Sequence, residues 1–338
     1  MKNETMKSNT DADVVGRRGE YEEPTGWGSR HPRQRILVTG GAGYKGVLLV
    51  EQLLGLGHLV TLLDNFMYGY AAILHFVAHP NLKIVQMDIR NVGKTDVSEF
   101  DVIYHLAGIS GVPGCAANPH SAEMINVEAT RILVALLGEE QLLVNASTTS
   151  FYGATGKAFD ETMPVEPISI YGKTKYEAEI AVQQRRRSIS LRFATVFGIS
   201  AKMRHDLLVN DFVHRAINDK LIVLFGAKSK RTFVHVQDAV RAYLFALDYQ
   251  SEMQGQVYNV GSAVLNYSKQ EIADAVVLQV ACEVTNSTLP SNDARNFEVS
   301  FDKIENLGYR ATRSLDSGIA ELVKLYRFYA PARQFNVI

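Results

Sequence analysis

The apolar positions change period along this chain, and the changes divide it into elements. Ile36-Leu37-Val38 is an unbroken apolar run, which predicts a short buried strand. Beyond a glycine-rich turn, Val47, Leu48, Val50, Leu53 and Leu54 recur at helical spacing, and Gly57 closes that helix. Further strands are predicted at 59–63, 84–87, 102–105, 142–146 and 190–193, with helices between them, notably over 122–137 and 171–184. Strands that alternate with helices imply parallel βαβ units with right-handed crossovers. Past residue 197 the alternation loosens. Helices are predicted there at 206–218, 238–248, 268–281 and 316–328, with short strands at 221–224, 257–260 and 298–301. The expectation is an α/β protein with a doubly wound parallel sheet, mainly over 35–197. A smaller mixed α/β domain for substrate follows over 198–330, with some segments returning to the sheet. Residues 1–34 are polar and aperiodic, and read as a disordered tail with Trp27 docking locally.

Composition narrows the function classes. Across 338 residues, 35 Lys and Arg against 36 Asp and Glu leave a formal charge of -1. No global field therefore draws the chain to nucleic acid or an anionic membrane. No apolar run approaches the roughly 18 residues of a membrane span. Two cysteines are too few for a disulfide framework. Cys115 and Cys282 read as free thiols of a cytoplasmic protein, with a catalytic thiol as the other role for Cys115, which lies in a loop after a strand. Arg185-Arg186-Arg187 is the sole basic run and is expected to cap a helix C-terminus, with a polyanion site as its other role.

The turn after the first strand carries the first chemistry. Thr39-Gly40-Gly41-Ala42-Gly43-Tyr44-Lys45-Gly46 fits G-x-G-x-x-G through Gly41, Gly43 and Gly46, and G-x-x-G-x-x-G through Gly40, Gly43 and Gly46. Either match is weak alone. Between a strand and a helix it becomes a dinucleotide-binding loop of the Rossmann type, in which the backbone approaches a pyrophosphate at the helix N-terminus. Asp64 ends the second strand, roughly 20 residues on, where a carboxylate takes the adenosine ribose hydroxyls and repels a 2′-phosphate. NAD is thereby favoured over NADP, and the residues that follow, starting with Asn65, include no adjacent arginine. The competing role for Asp64 is to cap its loop.

The second chemistry is Tyr171-Gly172-Lys173-Thr174-Lys175, which puts Tyr171 and Lys175 on one face of a helix. A free phenol near pKa 10 is a poor base, but a neighbouring ammonium and a cationic nicotinamide both favour the phenolate. Lys175 can also hold the nicotinamide ribose. The third member must be a hydroxyl, and Ser147-Thr148-Thr149-Ser150 offers four just past a strand end.

Together these motifs resemble the extended short-chain dehydrogenases/reductases, the group with UDP-galactose 4-epimerase and the sugar-nucleotide 4,6-dehydratases. The likeness covers roughly 35–328 and also rests on L-D-N at 63–65, Met87-Asp88-Ile89, H-L-A-G at 105–108, Asn126-Val127, S-T-T-S-F-Y-G at 147–153, R-F-A-T-V-F-G at 192–198 and R-T-F-V-H-V-Q-D at 231–238. The resemblance implies Thr148 as the catalytic hydroxyl, with Tyr171 and Lys175. It implies Asp88 and Ile89 beside the adenine, Leu106 and Ala107 flanking the cofactor, and Tyr44, Lys45 and Asn65 within its site. Arg231 matches the arginine that holds a sugar-nucleotide diphosphate, a role suited to a bidentate guanidinium. Thr149 and Ser150 fall at the substrate. A closer likeness of 192–213 to a subgroup with a bacterial GDP-heptose 4-dehydrogenase adds Arg204 and Asn210 to the nucleotide-sugar cleft, with a surface helix cap as the other role for Arg204.

Two positions depart from the pattern. The residue before the third glycine is usually apolar, and here Lys45 either meets the pyrophosphate or reaches solvent. The 4,6-dehydratases resemble one another in an Asp-Glu pair straight after the catalytic threonine. Thr149 and Ser150 stand there instead, and neither is a general acid near neutral pH. The expected reaction is NAD-dependent oxidation of a nucleoside-diphosphate sugar at C4, completed as epimerisation or as net dehydrogenation, without metal. An NADP-dependent reductase, a dehydratase and a non-catalytic nucleotide sensor are the rivals. The resemblance also implies a homodimer through the helices at 122–137 and 170–184.

Overall fold

A computed structural model of the protein describes residues 27–153, 158–289 and 297–329. The expected tail over 1–34 therefore lies outside the described residues up to residue 26. The strands, in chain order, begin with β1 (Arg35–Thr39), β2 (Leu59–Asp64), β3 (Leu82–Gln86), β4 (Val102–His105) and β5 (Leu142–Thr148). They continue with β6 (Ala158–Phe159), β7 (Ser188–Phe193), β8 (Thr195–Phe197), β9 (Leu221–Leu224) and β10 (Lys230–His235). The last are β11 (Gln256–Val260), β12 (Asn266–Ser268), β13 (Glu283–Asn286) and β14 (Glu298–Val299).

Seven strands form one sheet in the order β3-β2-β1-β4-β5-β7-β11, and every neighbouring pair is parallel. This is a Rossmann-type α/β sheet. Its growth reverses between β1 and β4, so their carboxyl ends splay open and leave a crevice there. Helices cover both faces, which explains why β4, β5 and β7 are buried along their whole length. Their polar members are paired inside. His105 hydrogen-bonds Thr39 Oγ1 at 2.8 Å and Thr130 Oγ1 at 2.9 Å, which ties β4 to β1 and to the helix Ala129–Leu136. Among the described residues, no helix is long and apolar enough to cross a membrane.

The second half adds β8, β10 and β12 as a small sheet, with β10 parallel to β8 and antiparallel to β12. The apolar pattern did not predict β8 or β10. β10 is buried almost throughout, yet Arg231, Thr232 and His235 interrupt its apolar run, so neither a period of two nor a continuous apolar stretch is visible. β11 crosses back to the edge of the main sheet. The helix expected over 122–137 begins at Pro119, passes through π-type turns at Glu123–Glu128 and ends at Leu136. Within the π turns, Asn126 accepts from Ile109 N (2.8 Å) and donates to Ile109 O (3.0 Å) and Thr174 Oγ1 (3.1 Å).

Arg185 closes a helix C-terminus, that of Ala129–Leu136. It donates to the carbonyls of Leu137, Gly138 and Gln141, closing the end of the neighbouring helix because its side chain extends across the gap between them. Trp27, at the start of the described chain, packs 4.8 Å from Phe245 and 5.7 Å from Tyr309, with the Arg241 guanidinium 4.9 Å from its ring. The Gly28 N–H beside it donates to Asp248 at 2.6 Å.

One buried ion pair anchors the helix Ile170–Gln183 to the sheet. Arg192 on β7 meets Glu179 through Nε (3.1 Å to each oxygen) and Nη2 (2.6 Å). Its Nη1 donates to Tyr152 Oη (2.7 Å), which donates to Asn259 on β11 (2.7 Å). Removing one partner strands a buried charge. Glu179→Ala is accordingly expected to destabilise the fold by about 3–5 kcal/mol in urea denaturation, and a loss below 1 kcal/mol would show that the pair is dispensable.

Candidate active site

The crevice at the switch point opens into a cleft of about 540 Å³, lined by the glycine loop, the end of β5, the first turn of the helix Ile170–Gln183 and the segment 202–208. A smaller lobe of about 130 Å³ continues from the glycine loop past Asp64 to Asp88 and Ile89.

The loop geometry explains its glycines. Gly40 adopts φ +69, and a Cβ there would stand 2.7 Å from Ala107 N and 2.9 Å from the Leu106 carbonyl carbon. A Cβ on Gly46 would stand 2.3 Å from Gly40 O, and one on Gly43 3.1 Å from the same atom. A Cβ on Gly41 would stand 2.6 Å from Leu62 Cγ, so both glycine frames shape the loop, and Leu106 and Ala107 press directly on Gly40. The helix Gly46–Gly55 begins here without a side-chain cap, leaving its N-terminus to the cleft. Asp64 serves the loop as a cap: its Oδ2 accepts from Ala42 N at 3.1 Å and its Oδ1 from Phe66 N at 2.8 Å. Burial pushes its carboxyl above the usual range against these bonds. A carboxylate has lone pairs left for a ribose, so the two roles are compatible. Asp88 is gripped by Arg90 through Nε (2.9 Å) and Nη2 (2.7 Å), and that guanidinium holds its carboxyl below the usual range. Asn65 and Ile89 stand in the same lobe. These residues fit a dinucleotide: a backbone cradle at the phosphate end and a carboxylate at the ribose end.

At the other end Thr148 and Tyr171 converge. Ser169 caps the helix by accepting from Gly172 N at 3.1 Å, which sets Tyr171 in the first turn. The Tyr171 phenol is hydrogen-bonded by Thr148 and by Ser110; burial raises its pKa against those bonds. Lys175, one turn on, is buried. Burial lowers its ammonium to about 8, against the pull of Glu179 and Cys115. Ser110, just past H-L-A-G, is a site residue that the motif reading missed, although its place after β4 could have flagged it. Cys115 is structural: its thiol donates to Ile109 O at 3.4 Å, and burial pushes it up to about 11.

The substrate candidates separate. Ser150, Arg204 and Arg231 line the cleft. Arg204 is no surface cap: its side chain is mostly buried against the cleft, and Asp206 at the exposed edge holds it by Nε and Nη2, both at 2.6 Å. Thr149 and Asn210 do not reach the cleft. Thr149 Oγ1 is turned inward and donates to Phe193 O at 3.3 Å. Asn210 is fully buried; it accepts from Gly198 N (3.0 Å) and donates to Arg204 O (2.8 Å), so it braces the cleft wall. Tyr44 joins the two halves, donating to Gly198 O at 2.7 Å while its own carbonyl accepts from Ser200 Oγ at 2.7 Å. Lys202, Asp206 and Lys269, which no motif singled out, complete a charged rim. Lys45 does not reach solvent: it lines the cleft beside the glycine loop, with its Nζ 3.7 Å from the Phe193 ring centroid.

A family described as the NAD dependent epimerase/dehydratase family matches residues 36–261. The chain is 27% identical over 318 residues to a UDP-N-acetyl-alpha-D-glucosaminuronate decarboxylase of Bacillus cytotoxicus, covering 88% of this chain and 93% of that one. It is 26% identical over 304 residues to a putative UDP-glucose 4-epimerase of Methanocaldococcus jannaschii, covering 85% and 97%. The crystal structure of UDP-glucuronic acid 4-epimerase from Bacillus cereus, in complex with UDP-glucuronic acid and NAD, superimposes with a TM-score of 0.80 over 87% of this chain and 99% of that one. At 24% identity that likeness concerns the fold alone.

The depressed ammonium of Lys175 is directly measurable. In protein labelled with 15N-lysine, its Nζ resonance is expected to titrate near pH 8, protonated below and neutral above. Exposed lysines titrate at about 10.4, and the same value at Lys175 would contradict the buried ammonium.

Proposed function

The chain belongs to the NAD dependent epimerase/dehydratase family, and on that premise we propose that it oxidises the C4 hydroxyl of a nucleoside-diphosphate sugar. The observation that carries this reading is the convergence of Thr148 and Tyr171 on the wall of a cleft whose other end is the glycine loop, with Lys175 buried one turn on along the helix of Tyr171. NAD, when bound, supplies the hydride acceptor. Gly40, Gly43 and Gly46 with Tyr44 would hold its pyrophosphate, Asp64 and Asn65 its adenosine ribose, and Asp88 and Ile89 its adenine. Leu106 and Ala107 would flank it, and Lys175 would hold the second ribose.

The chain's own groups handle the proton. Thr148 and Tyr171 hold the sugar hydroxyl, and the Tyr171 phenolate accepts its proton. Burial alone keeps that phenol protonated; the Lys175 ammonium and a cationic ring beside it favour the phenolate. Arg231, 3% exposed at the end of the cleft, suits the diphosphate, with Arg204 and Lys202 adding positive charge. Water loss from the sugar would need an acid and a base beside Thr148. Thr149 and Ser150 stand there, and the Thr149 hydroxyl is spent on Phe193 O. This supports epimerisation, or release of the 4-keto sugar, over dehydration. Asp64 supports NAD over NADP by repelling a 2′-phosphate.

We further propose a homodimer through the helices Ala129–Leu136 and Ile170–Gln183. Ile132 and Ile180 support it, since these helices otherwise expose both to water. Light scattering is expected to give twice the 37.5 kDa chain mass, and a monomer would refute it.

Tyr171→Phe is expected to lower turnover by roughly 10²–10⁴-fold while NAD still binds. Full activity in that variant would overturn the assignment. Incubation of the wild type with a panel of nucleotide sugars, read by NMR of the products, distinguishes a C4 epimer from a keto sugar.

A further inference from the structure

Lys45 is a cation inside the reaction chamber, at a position where the family pattern is apolar. Its Nζ lies 3.7 Å from the Phe193 ring centroid and 5.5 Å from that of Tyr243. It lines the same cleft as Thr148 and Tyr171. The groups facing it come from every element packed around it. Lys175 approaches from the catalytic helix and Arg204 from the 202–208 segment, both carrying like charge. Phe193 belongs to β7 and Tyr243 to the helix Val236–Asp248. The two rings offer their faces to a cation. Burial and the two like charges oppose protonation and hold the amine well below the usual lysine range.

Hydride transfer requires the nicotinamide within about 3–3.5 Å of the sugar carbon. Thr148 and Tyr171 fix that carbon, so the ring must lie in the stretch of cleft between them and the glycine loop, which is where Lys45 projects. NAD⁺ brings a unit positive charge to this stretch and NADH does not. We propose that Lys45 sets the balance between the oxidised and reduced cofactor: with its amine protonated the site prefers NADH over NAD⁺, and with its amine neutral the preference shrinks. This rests on the reading of the cleft as an NAD site. It also bears on the outcome of the reaction, because a site that retains the reduced cofactor keeps the hydride at hand for return to the keto sugar.

The test is the ratio of Kd for NAD⁺ to Kd for NADH, measured by calorimetry and by NADH fluorescence between pH 5.5 and 9.5, without substrate. In the wild type the ratio is expected to fall by about tenfold across the range, since like charges within a cleft of effective dielectric near 20 repel by at least that factor. Lys45→Met packs similarly against Phe193 and Tyr243. It is expected to bind NAD⁺ about tenfold more tightly at the acid end and to flatten the ratio. Lys45→Arg keeps its charge throughout and is expected to hold a wide ratio to pH 9.5. Lys175 acts on Lys45 through its charge, so its Nζ resonance is followed in all three proteins and its measured titration is subtracted from the comparison. A ratio in Lys45→Met that matches the wild type at every pH overturns the proposal. Failure of the wild type to bind either cofactor overturns the NAD reading itself. Should Lys45→Met fail to fold, the Nζ resonance of Lys45 in the wild type decides. NAD⁺ is expected to lower its titration midpoint and NADH to leave it in place, and equal effects would sink the idea.

Discussion

The site depends on one close approach, between the glycine loop after β1 and the chain leaving β4. Gly40 lies so near Leu106 and Ala107 that a single methyl group would overlap their backbone. The contact sits where the sheet changes its direction of growth, so the strand ends splay there and a crevice opens. Gly46 closes the loop from the other side against Gly40 O. The helix N-terminus, the Asp64 cap and the Tyr44 bridge to Gly198 all take their places from this packing.

A second constraint acts at the far end of the cleft. Tyr171 and Lys175 must face the loop, and the helix that carries them is held by Glu179 to Arg192 on β7. That guanidinium also grips Tyr152, which follows the Thr148 turn, and through it Asn259 on β11. The Thr148 turn and the helix of Tyr171 and Lys175 therefore share one buried anchor. Basic side chains surround the cleft between the two constraints. Lys45 and Lys175 are both pushed toward their neutral forms by burial. Tyr171 is pushed toward its neutral form too. These three titrations are therefore set by burial and by the charges of their neighbours.

Much was legible in the chain itself. Ile36–Val38 shows as a strand because it is buried on both faces and hence an unbroken apolar run, and Leu59–Leu63 because Thr61 alone interrupts its apolar residues. The helix after Gly46 shows because one face alone is buried. Gly40–Gly46, Asp64, Tyr171 and Lys175 are local motifs whose spacing mirrors a single turn or a single strand-to-helix step, so sequence exposes them. β8 and β10 were not legible, since polar residues buried by partners distant in sequence erase their pattern. Which helix Arg185 closes was likewise hidden, because the carbonyls it satisfies lie 44 to 48 residues away in the chain.

What the sequence indicated by itself is the doubly wound parallel sheet, because strand and helix periods alternate along the chain, and the glycine loop and the Tyr171–Lys175 pair, because each motif is confined to a single turn or strand-to-helix step. Side-chain direction was decided only in three dimensions. Thr149 and Asn210 turned into the framework, Ser110 joined Tyr171, and Asp64 proved to cap the loop it also offers to a ligand. Lys45 came to rest against Phe193 and Tyr243, which lie far from it in sequence. A motif sets where a residue starts, but the packing of distant elements sets where its side chain ends, and with it the charge that the residue can carry.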